Sequence, residues 1–426
     1  MTARQLLETP RCGCDAPELT SGLLSIDGAA ALIDATAAAV DGIEDVPLIA
    51  AHGRLLAADL ASREKSPAFD AAAMDGYALS TRELTGSGPW TLEVNGLAAA
   101  GQPRTGLGSP GCAARIFTGA AIPEGADAVV MQEEVERRGA EMLLRSRPLS
   151  GAHIRRAGED IAASQVVLHA GDRLGPGELA VAAAAGYASV SVRRRVRAAI
   201  VITGNEVQAT GRDPAEAQIR DVNGPMLSGA MSRPDVDIVE VIHVGDRVEA
   251  LVKAFSRLSG AVDLVVTTGG VSVGDADLVK PALRAAGGSI CFEGVAIKPG
   301  KPVSFGRLGT AIWLGLPGNP VSAFVTWTLF GVRAVDRLAG HSCESIVRRH
   351  VAAARTLRHK PGRAEFRMAR IIGSDERGME AVDCLDATHS ARVSTLVGAD
   401  GLLLLPADSE AIPEGGLVEF LPLTRS

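Results

Sequence analysis

Aromatic side chains are scarce in this 426-residue chain, only 3% in all, so its cores must be built from Ala, Val, Leu and Ile. Six cysteines form no Cys-x-x-Cys pair. Cys12 and Cys14 lie in a polar N-terminal segment, and Cys112, Cys291, Cys343 and Cys384 are far apart. That usage fits a reducing compartment and speaks against a zinc finger; Cys12-Gly-Cys14 has no nearby third ligand for a soft metal. The eight histidines are scattered, with no His-Glu-x-x-His spacing and no Ser/His/Asp or Cys/His arrangement, which disfavours nucleophilic side-chain catalysis. Basic charge is not in excess: 43 Lys and Arg against 50 Asp and Glu give a net charge of -7 and a pI near 5.7. A general nucleic-acid binder is thereby disfavoured, and any anionic ligand must find a local basic cluster. The N-terminus has no continuous apolar stretch of signal-peptide type. The uncharged run Leu308 to Val332 is long enough for a membrane span, but Leu316-Pro317-Gly318-Asn319-Pro320 breaks it, so a buried strand, a turn and a buried helix are expected, with no membrane partner. A cytoplasmic protein is expected.

Hydrophobic content of 46% and charged content of 22% describe a globular chain long enough for two to four domains. Residues up to Glu18 read as a disordered lead-in. Ser25 to Val40 is alanine-rich and predicts a helix, and Pro47 to Leu60 continues into a second helical piece. After Ser66-Pro67 short strand-like runs follow, such as Trp90 to Val94, Ala113 to Thr118 and Ala128 to Gln132, to about Asp160. Val166 to Val192 returns to helical character, so the β-rich segment reads as one domain inserted into another. From Arg195 strands (Ala198 to Thr203, Val236 to Val244, Val262 to Thr268, Ala311 to Leu316) alternate with helices (Asn223 to Met231, Val248 to Leu258, one ending near Ala286), which predicts a parallel sheet covered on both faces. The tail from about Val351 reads as a small β-barrel or sandwich.

In parallel sheets ligands sit beyond the carboxyl ends of the strands. Three loops fall there: Thr203-Gly204-Asn205-Glu206, Gly269 to Asp277, and Leu316 to Pro320. The second, GGVSVGDAD, joins glycines that open backbone N–H groups to Asp275 and Asp277. Carboxylates beside a phosphate need a divalent cation between them, so the turn points to phosphate, metal and acid together. A tight βα turn with helix-capping aspartates explains the same residues more plainly. Lys298 and Lys301 flank a Pro-Gly turn that can aim two ammonium groups at one anion; a solvated lysine pair is the alternative. Thr118, Asp127, Asp70, Asp75 and the cluster Arg155 to Asp160 read singly as surface salt bridges. Acids, lysines and glycine turns together suit metal-assisted displacement at a phosphoanhydride.

Eight motifs then make the resemblance specific: AMDGYA (73–78), RIFTGAAIPEGADAVVMQEE (115–134), RRAGEDI (155–161), TGNEV (203–207), QIRDVN (218–223), GGVSVGDAD (269–277), KPGKP (298–302) and LPGNPVSA (316–323). In this order and spacing, from about Leu23 to the C-terminus, the chain resembles the MoeA family of molybdopterin molybdenumtransferases. The resemblance implies an α/β multidomain chain. After the lead-in (1–18), which has no family counterpart, its parts would be a discontinuous helical/extended N-terminal domain (19–62 and 163–194), a β-rich inserted domain (63–162), a MogA-like three-layer αβα parallel-sheet domain (195–342) and a C-terminal β-barrel (343–426). It implies a homodimer whose active site lies between the αβ domain of one subunit and the β-rich domain of the other. The family inserts molybdate into adenylylated molybdopterin and releases AMP, with a divalent cation, usually Mg²⁺. By motif, the catalytic set would be Asp75, Thr118, Asp160, Glu206, Asp277, Lys298 and Lys301. Gly269, Gly270, Ser272, Gly274, Pro317, Asn319, Arg363 and Ser390 would bind substrate, and Glu206 and Asp277, with Asp246, would hold the metal. The molybdopterin adenylyltransferase and acceptor molybdoenzymes would be further partners. Ala71 and Ala72 stand where the family commonly has Asn-Ser, Gly294 where it usually has a basic residue, and Asn205 where many bacterial members have Asp. The Ala71, Ala72 and Gly294 changes leave room for a tungstate-preferring paralogue or one with weakened activity, and gephyrin-like relatives that cluster partner proteins add a non-catalytic handover or scaffold protein as a further alternative.

Overall fold

The computed structural model describes residues 22–211, 213–270, 277–341, 348–385 and 392–423. The lead-in with Cys12 and Cys14, Ser272, Gly274 and Asp275 of the glycine turn, and His389 and Ser390 lie outside them. The chain forms two compact units. One gathers the chain up to Glu44, Gly53–Leu55 and everything from Arg193; the other comprises Asp45–His52 and Leu56–Val192.

In the first unit a six-stranded sheet runs in the order Val236–Val244, Val196–Thr203, Leu264–Thr268, Ala311–Leu316, Ser304–Leu308, Ser289–Glu293. The β-branched runs dictate it. Alternate residues of Val196–Thr203 feed two cores, Ala198, Ile200 and Ile202 on one face and Ala199 and Val201 on the other. Helix Val248–Leu258 covers the second face with Leu251, Phe255 and Leu258, at helical spacing. Burying Phe255 completely contributes roughly 1.5–3 kcal/mol. The first four strands are parallel, as the alternating pattern predicts. Ser304–Leu308 departs from it and runs antiparallel to both its neighbours; only Gly309 and Thr310 separate it from Ala311–Leu316, and so short a loop can join only antiparallel neighbours. The strands following Val196–Thr203 are laid on both sides of it, so the winding reverses between Val196–Thr203 and Leu264–Thr268. Such a reversal places the expected ligand crevice above their carboxyl ends.

The apolar run 308–332 becomes the buried strand Ala311–Leu316, a turn, and the buried helix Pro320–Thr326. Among the described residues no helix is long and apolar enough to cross a membrane. The C-terminal strands close a five-stranded barrel: Ala364–Ser374 pairs with both Glu380–Cys384 and Gly401–Leu405, and Arg349–Ala353 and Leu417–Pro422 complete the ring.

At the opposite end of the sheet from the crevice, Arg194 makes two hydrogen bonds to Asp263, at 2.7 and 2.9 Å, and Arg197 N–H donates to the same carboxylate at 2.8 Å. Burial works to raise the Asp263 pKa, but these bonds and charges outweigh it and hold the group below the ordinary aspartate value. A depressed folded-state pKa stabilises the fold above the unfolded value and loses that contribution as pH falls through the folded one. Asp263→Asn is therefore expected to lower the thermal midpoint at pH 7, and the gap from wild type should narrow below about pH 4. A gap independent of pH would show that the charge contributes nothing.

The second unit holds a six-stranded sheet ordered Ala128–Met131, Gly76–Leu79, Cys112–Ile116, Trp90–Ala98, Glu141–Leu144, Val135–Arg138. Beside it, Leu56, Leu60, Leu168, Leu174, Ala182 and Val190 form a separate small core. Two expectations fail here. Pro47 to Leu60 is not helical beyond the single turn Leu48–Ala50; the segment Leu60–Ala61 pairs instead with Val166–Leu168. Val166 to Val192 contains one helix, Pro176–Ala184, between the strands Val166–Leu168 and Ser189–Arg193. Alanine and leucine content suggested helix in both, but Gly53, Gly171 and Gly186, all with left-handed backbone, interrupt it.

Candidate active site

The three strand-end loops converge in the first unit. Gly269 has φ +89, and a Cβ there would lie 2.7 Å from the Thr203 carbonyl oxygen, so only glycine lets the two loops approach this closely. Thr203 Oγ1 donates to Thr268 O at 3.2 Å. Asn223, on the following helix, donates its Nδ2 to Thr268 Oγ1 at 2.7 Å and to Gly318 O at 2.8 Å, and Thr268 Oγ1 in turn donates to Pro317 O at 3.1 Å. One buried amide thus ties the second loop to the third. Sequence reasoning missed Asn223, because an Asn at a helix start reads as a cap until the loops around it are seen. Asn319 stands at the N-cap position of the helix Pro320–Thr326, without a side-chain capping hydrogen bond.

The expected metal-binding acids Glu206, Asp246 and Asp277 form no three-ligand cluster among the described residues. The exposed Glu206 carboxylate folds back over Gly204. Asp246 and Asn205 bond reciprocally: Asn205 N–H to Asp246 Oδ2 at 3.0 Å, and Asp246 N–H to Asn205 Oδ1 at 3.1 Å. Asp277 lies 2.8 Å from Lys280 Nζ, which also reaches Glu293 at 3.3 Å. Burial works to lower the Lys280 pKa, but the Asp277 hydrogen bond and both carboxylate charges raise it above the ordinary lysine value. Among the described residues the one cluster of three ligand-type side chains is Asp235, Asp336 and His341. Arg233 already fills it, 2.8 Å from Asp235 and 2.6 Å from Asp336. Mg²⁺ usually takes one or two protein carboxylates and completes its shell with phosphate oxygens and water. Separate hard oxygen donors beside a glycine-opened crevice fit an ion shared with a diphosphate, not one caged by protein.

Helix Pro320–Thr326 leads from the third loop to a cavity of about 240 Å³. Lys298, Lys301, Arg363 and Arg367 line it, with Glu365 and the helix residues Val321, Ser322 and Val325. The KPGKP turn is held there because Ile297–Lys298 pairs in parallel with Ala364 and Glu365 of the barrel. Gly300, at φ +112, sits where a Cβ would lie 2.4 Å from Thr326 Cγ2, so the turn lies flat on the helix. The structure therefore brings Lys298, Lys301 and Arg363 to one space. It also adds Arg367 and Glu365, which lie in no motif and become visible only through strand pairing.

In the second unit Asp75 Oδ1 accepts both the backbone N–H and the hydroxyl of Thr118, each at 2.7 Å. These two bonds, with the Arg115 charge, hold the exposed Asp75 below the ordinary aspartate pKa. Asp160 is exposed. Asp70 pairs with Arg156 at 2.7 Å, and Asp127 caps Thr81, accepting both its N–H and its hydroxyl at 2.7 Å, so both are structural. The two alanines at the Asn-Ser positions are buried in a short strand paired with Ile154–Arg155. Gly294 has φ +92, and a Cβ there would meet Leu23 at 2.6 Å. A basic residue at that position would be strained as well as absent.

Known proteins share this arrangement. Family models for the MoeA N-terminal region (domain I and II), a probable molybdopterin binding domain and the MoeA C-terminal region (domain IV) match residues 24–186, 199–337 and 350–423. Molybdopterin molybdenumtransferase of Haemophilus influenzae is 34% identical over 88% of this chain and 92% of its own length. Molybdopterin molybdenumtransferase 2 of Mycobacterium tuberculosis is 34% identical over 89% and 95%. A crystal structure of the molybdopterin biosynthesis MoeA protein from Pyrococcus horikoshii superposes with a TM-score of 0.78 at 28% identity, covering 95% of this chain and all of that one. With the strand-end loops, the lysine turn and the closed barrel each falling inside a matched region, the chain belongs to the MoeA family of molybdopterin molybdenumtransferases.

Proposed function

We propose that the protein inserts molybdate into adenylylated molybdopterin and releases AMP, as a step in molybdenum cofactor biosynthesis. The observation that carries this reading is the cationic cavity joined through one short helix to the acid-rimmed crevice. Molybdate is held by cationic side chains directly, whereas a nucleotide diphosphate beside carboxylates needs a divalent cation between them, and the two sites offer both surroundings. Lys298, Lys301 and Arg363 attract molybdate or the pterin phosphate through charge-assisted hydrogen bonds. Gly269 and Gly270 let substrate approach the backbone, while Pro317 and Asn319 shape the third wall. Glu206 and Asp277, with Asp246, would hold Mg²⁺, whose charge would polarise the phosphoanhydride. Asp75, oriented by Thr118, and Asp160 act from the β-rich part of a second protomer in a proposed homodimer. The four-domain division at 19–62 with 163–194, 63–162, 195–342 and 343–426, and a cytoplasmic location, belong to the same reading. An AMP-release assay with adenylylated pterin and either oxyanion tests it. Release with molybdate is the expected result; preference for tungstate would mark an altered paralogue, and binding without turnover a handover protein.

A further inference from the structure

Among the described residues the basic cavity contains one acid, Glu365, only 4% exposed, on the barrel strand Ala364–Ser374 and directly across the ladder from Lys298. One of its oxygens lies 3.3 Å from Lys298 Nζ, and the other accepts from Arg367 Nε at 2.9 Å. Burial pushes its carboxyl pKa up, but the Arg367 bond and the charges of Arg367 and Lys298 outweigh burial and hold it below the ordinary glutamate value. An ionised carboxylate therefore sits in a cavity that must receive an anion. On charge alone it opposes the ligand. What it supplies is geometry. Lys298 is a point charge on a flexible four-carbon stem, its side chain 46% exposed, and fixing such a stem at the moment of binding costs rotamer entropy. Arg367 is anchored independently, through Nη2 to the Arg358 carbonyl at 2.6 Å. The carboxylate consequently matters most for Lys298.

We infer that Glu365 is a positioning residue for oxyanion capture: it holds the Lys298 ammonium at the cavity and acts on the ligand only through that lysine. The inference rests on the reading of this cavity as the oxyanion site. Neutralising Glu365 has two opposed effects, since losing repulsion tightens anion binding while freeing Lys298 weakens it. The sign of the change decides between them. The full-length protein is titrated calorimetrically with molybdate alone, and molybdate KM and kcat for AMP release are measured separately, for Glu365→Gln, Glu365→Asp, Lys298→Ala and the Glu365→Gln/Lys298→Ala pair. Glu365→Gln is expected to weaken molybdate binding and raise its KM about tenfold, with kcat at saturation within about twofold of wild type. Glu365→Asp should recover part of the loss, and in the Lys298→Ala background Glu365→Gln should weaken binding no further and instead regain part of it, because only the repulsion is left to remove. Unchanged or tighter binding, or full additivity with Lys298→Ala, overturns the inference. If Lys298→Ala weakens binding and Glu365→Gln does not, only the positioning role fails. If wild type does not bind molybdate, or Lys298→Ala has no effect, the cavity reading fails and takes this inference with it. Should Glu365→Gln not fold, Glu365→Asp decides, because a carboxylate withdrawn by one methylene must raise KM only while Lys298 is present.

Discussion

Asp277→Asn is expected to lower kcat/KM for AMP release by roughly 100-fold and to raise the Mg²⁺ concentration giving half-maximal activity, because a charged oxygen ligand for the proposed Mg²⁺ is lost. The substitution separates chemistry from folding. Asn keeps an oxygen within reach of the Lys280 backbone N–H, which Asp277 now accepts at 3.4 Å. Lys280 retains Glu293 at 3.3 Å, and Glu293 also pairs with Arg284, so the ion-pair chain survives without the Asp277 charge. A variant with wild-type thermal midpoint and unchanged Mg²⁺ dependence would remove Asp277 from the proposed metal site. A variant that lost activity only by unfolding would reassign Asp277 to structure, as the partner of Lys280.

The fold was legible where local pattern and tertiary packing demand the same thing. Five consecutive buried residues, Leu264–Thr268, followed by two glycines can be little else than a central strand and its turn. The alternation from Arg195 gave the order of strands and helices for the same reason. It could not give the antiparallel edge, which depends on the Gly309-Thr310 hairpin, a two-residue signal inside a long apolar run. Pro47 to Leu60 misled because alanine and leucine favour helix in isolation, whereas here backbone bonds of Leu48 and Ala57 to Ala188 and Ser191, and of Leu60 to the strand Val166–Leu168, override propensity. The site divides along the same line. Lys298, Lys301 and the strand-end loops stand in short motifs whose chemistry is local. Asn223, Arg367 and Glu365 act through partners far away in sequence, Asn223 through Thr268 and Gly318, Glu365 through Lys298. Asp127 shows the converse, an acid inside a functional motif whose oxygens are already taken by Thr81 and Ser150.

Lys298→Ala carries the second large expectation. A hydrogen bond between an ammonium and an oxyanion contributes about 1.5–3 kcal/mol, so its loss should raise the molybdate KM about 10- to 100-fold. Lys301, Arg363 and Arg367 remain around the cavity, which is why the effect should fall on affinity and spare the chemical step. Folding should be little disturbed. Lys298 is half exposed, its strand pairing is made by the backbone, and Glu365 keeps Arg367 at 2.9 Å. The remaining charge of Glu365 then sharpens the test: without Lys298 the carboxylate loses one of its two counter-ions and repels the incoming anion more strongly. Lys298→Ala should accordingly weaken molybdate binding more than Lys301→Ala, whose ammonium has no carboxylate partner among the described residues. Equal losses from the two variants would mean that the lysines act as interchangeable positive charge, and that the ladder pairing of Lys298 with Glu365 has no bearing on how the oxyanion is held.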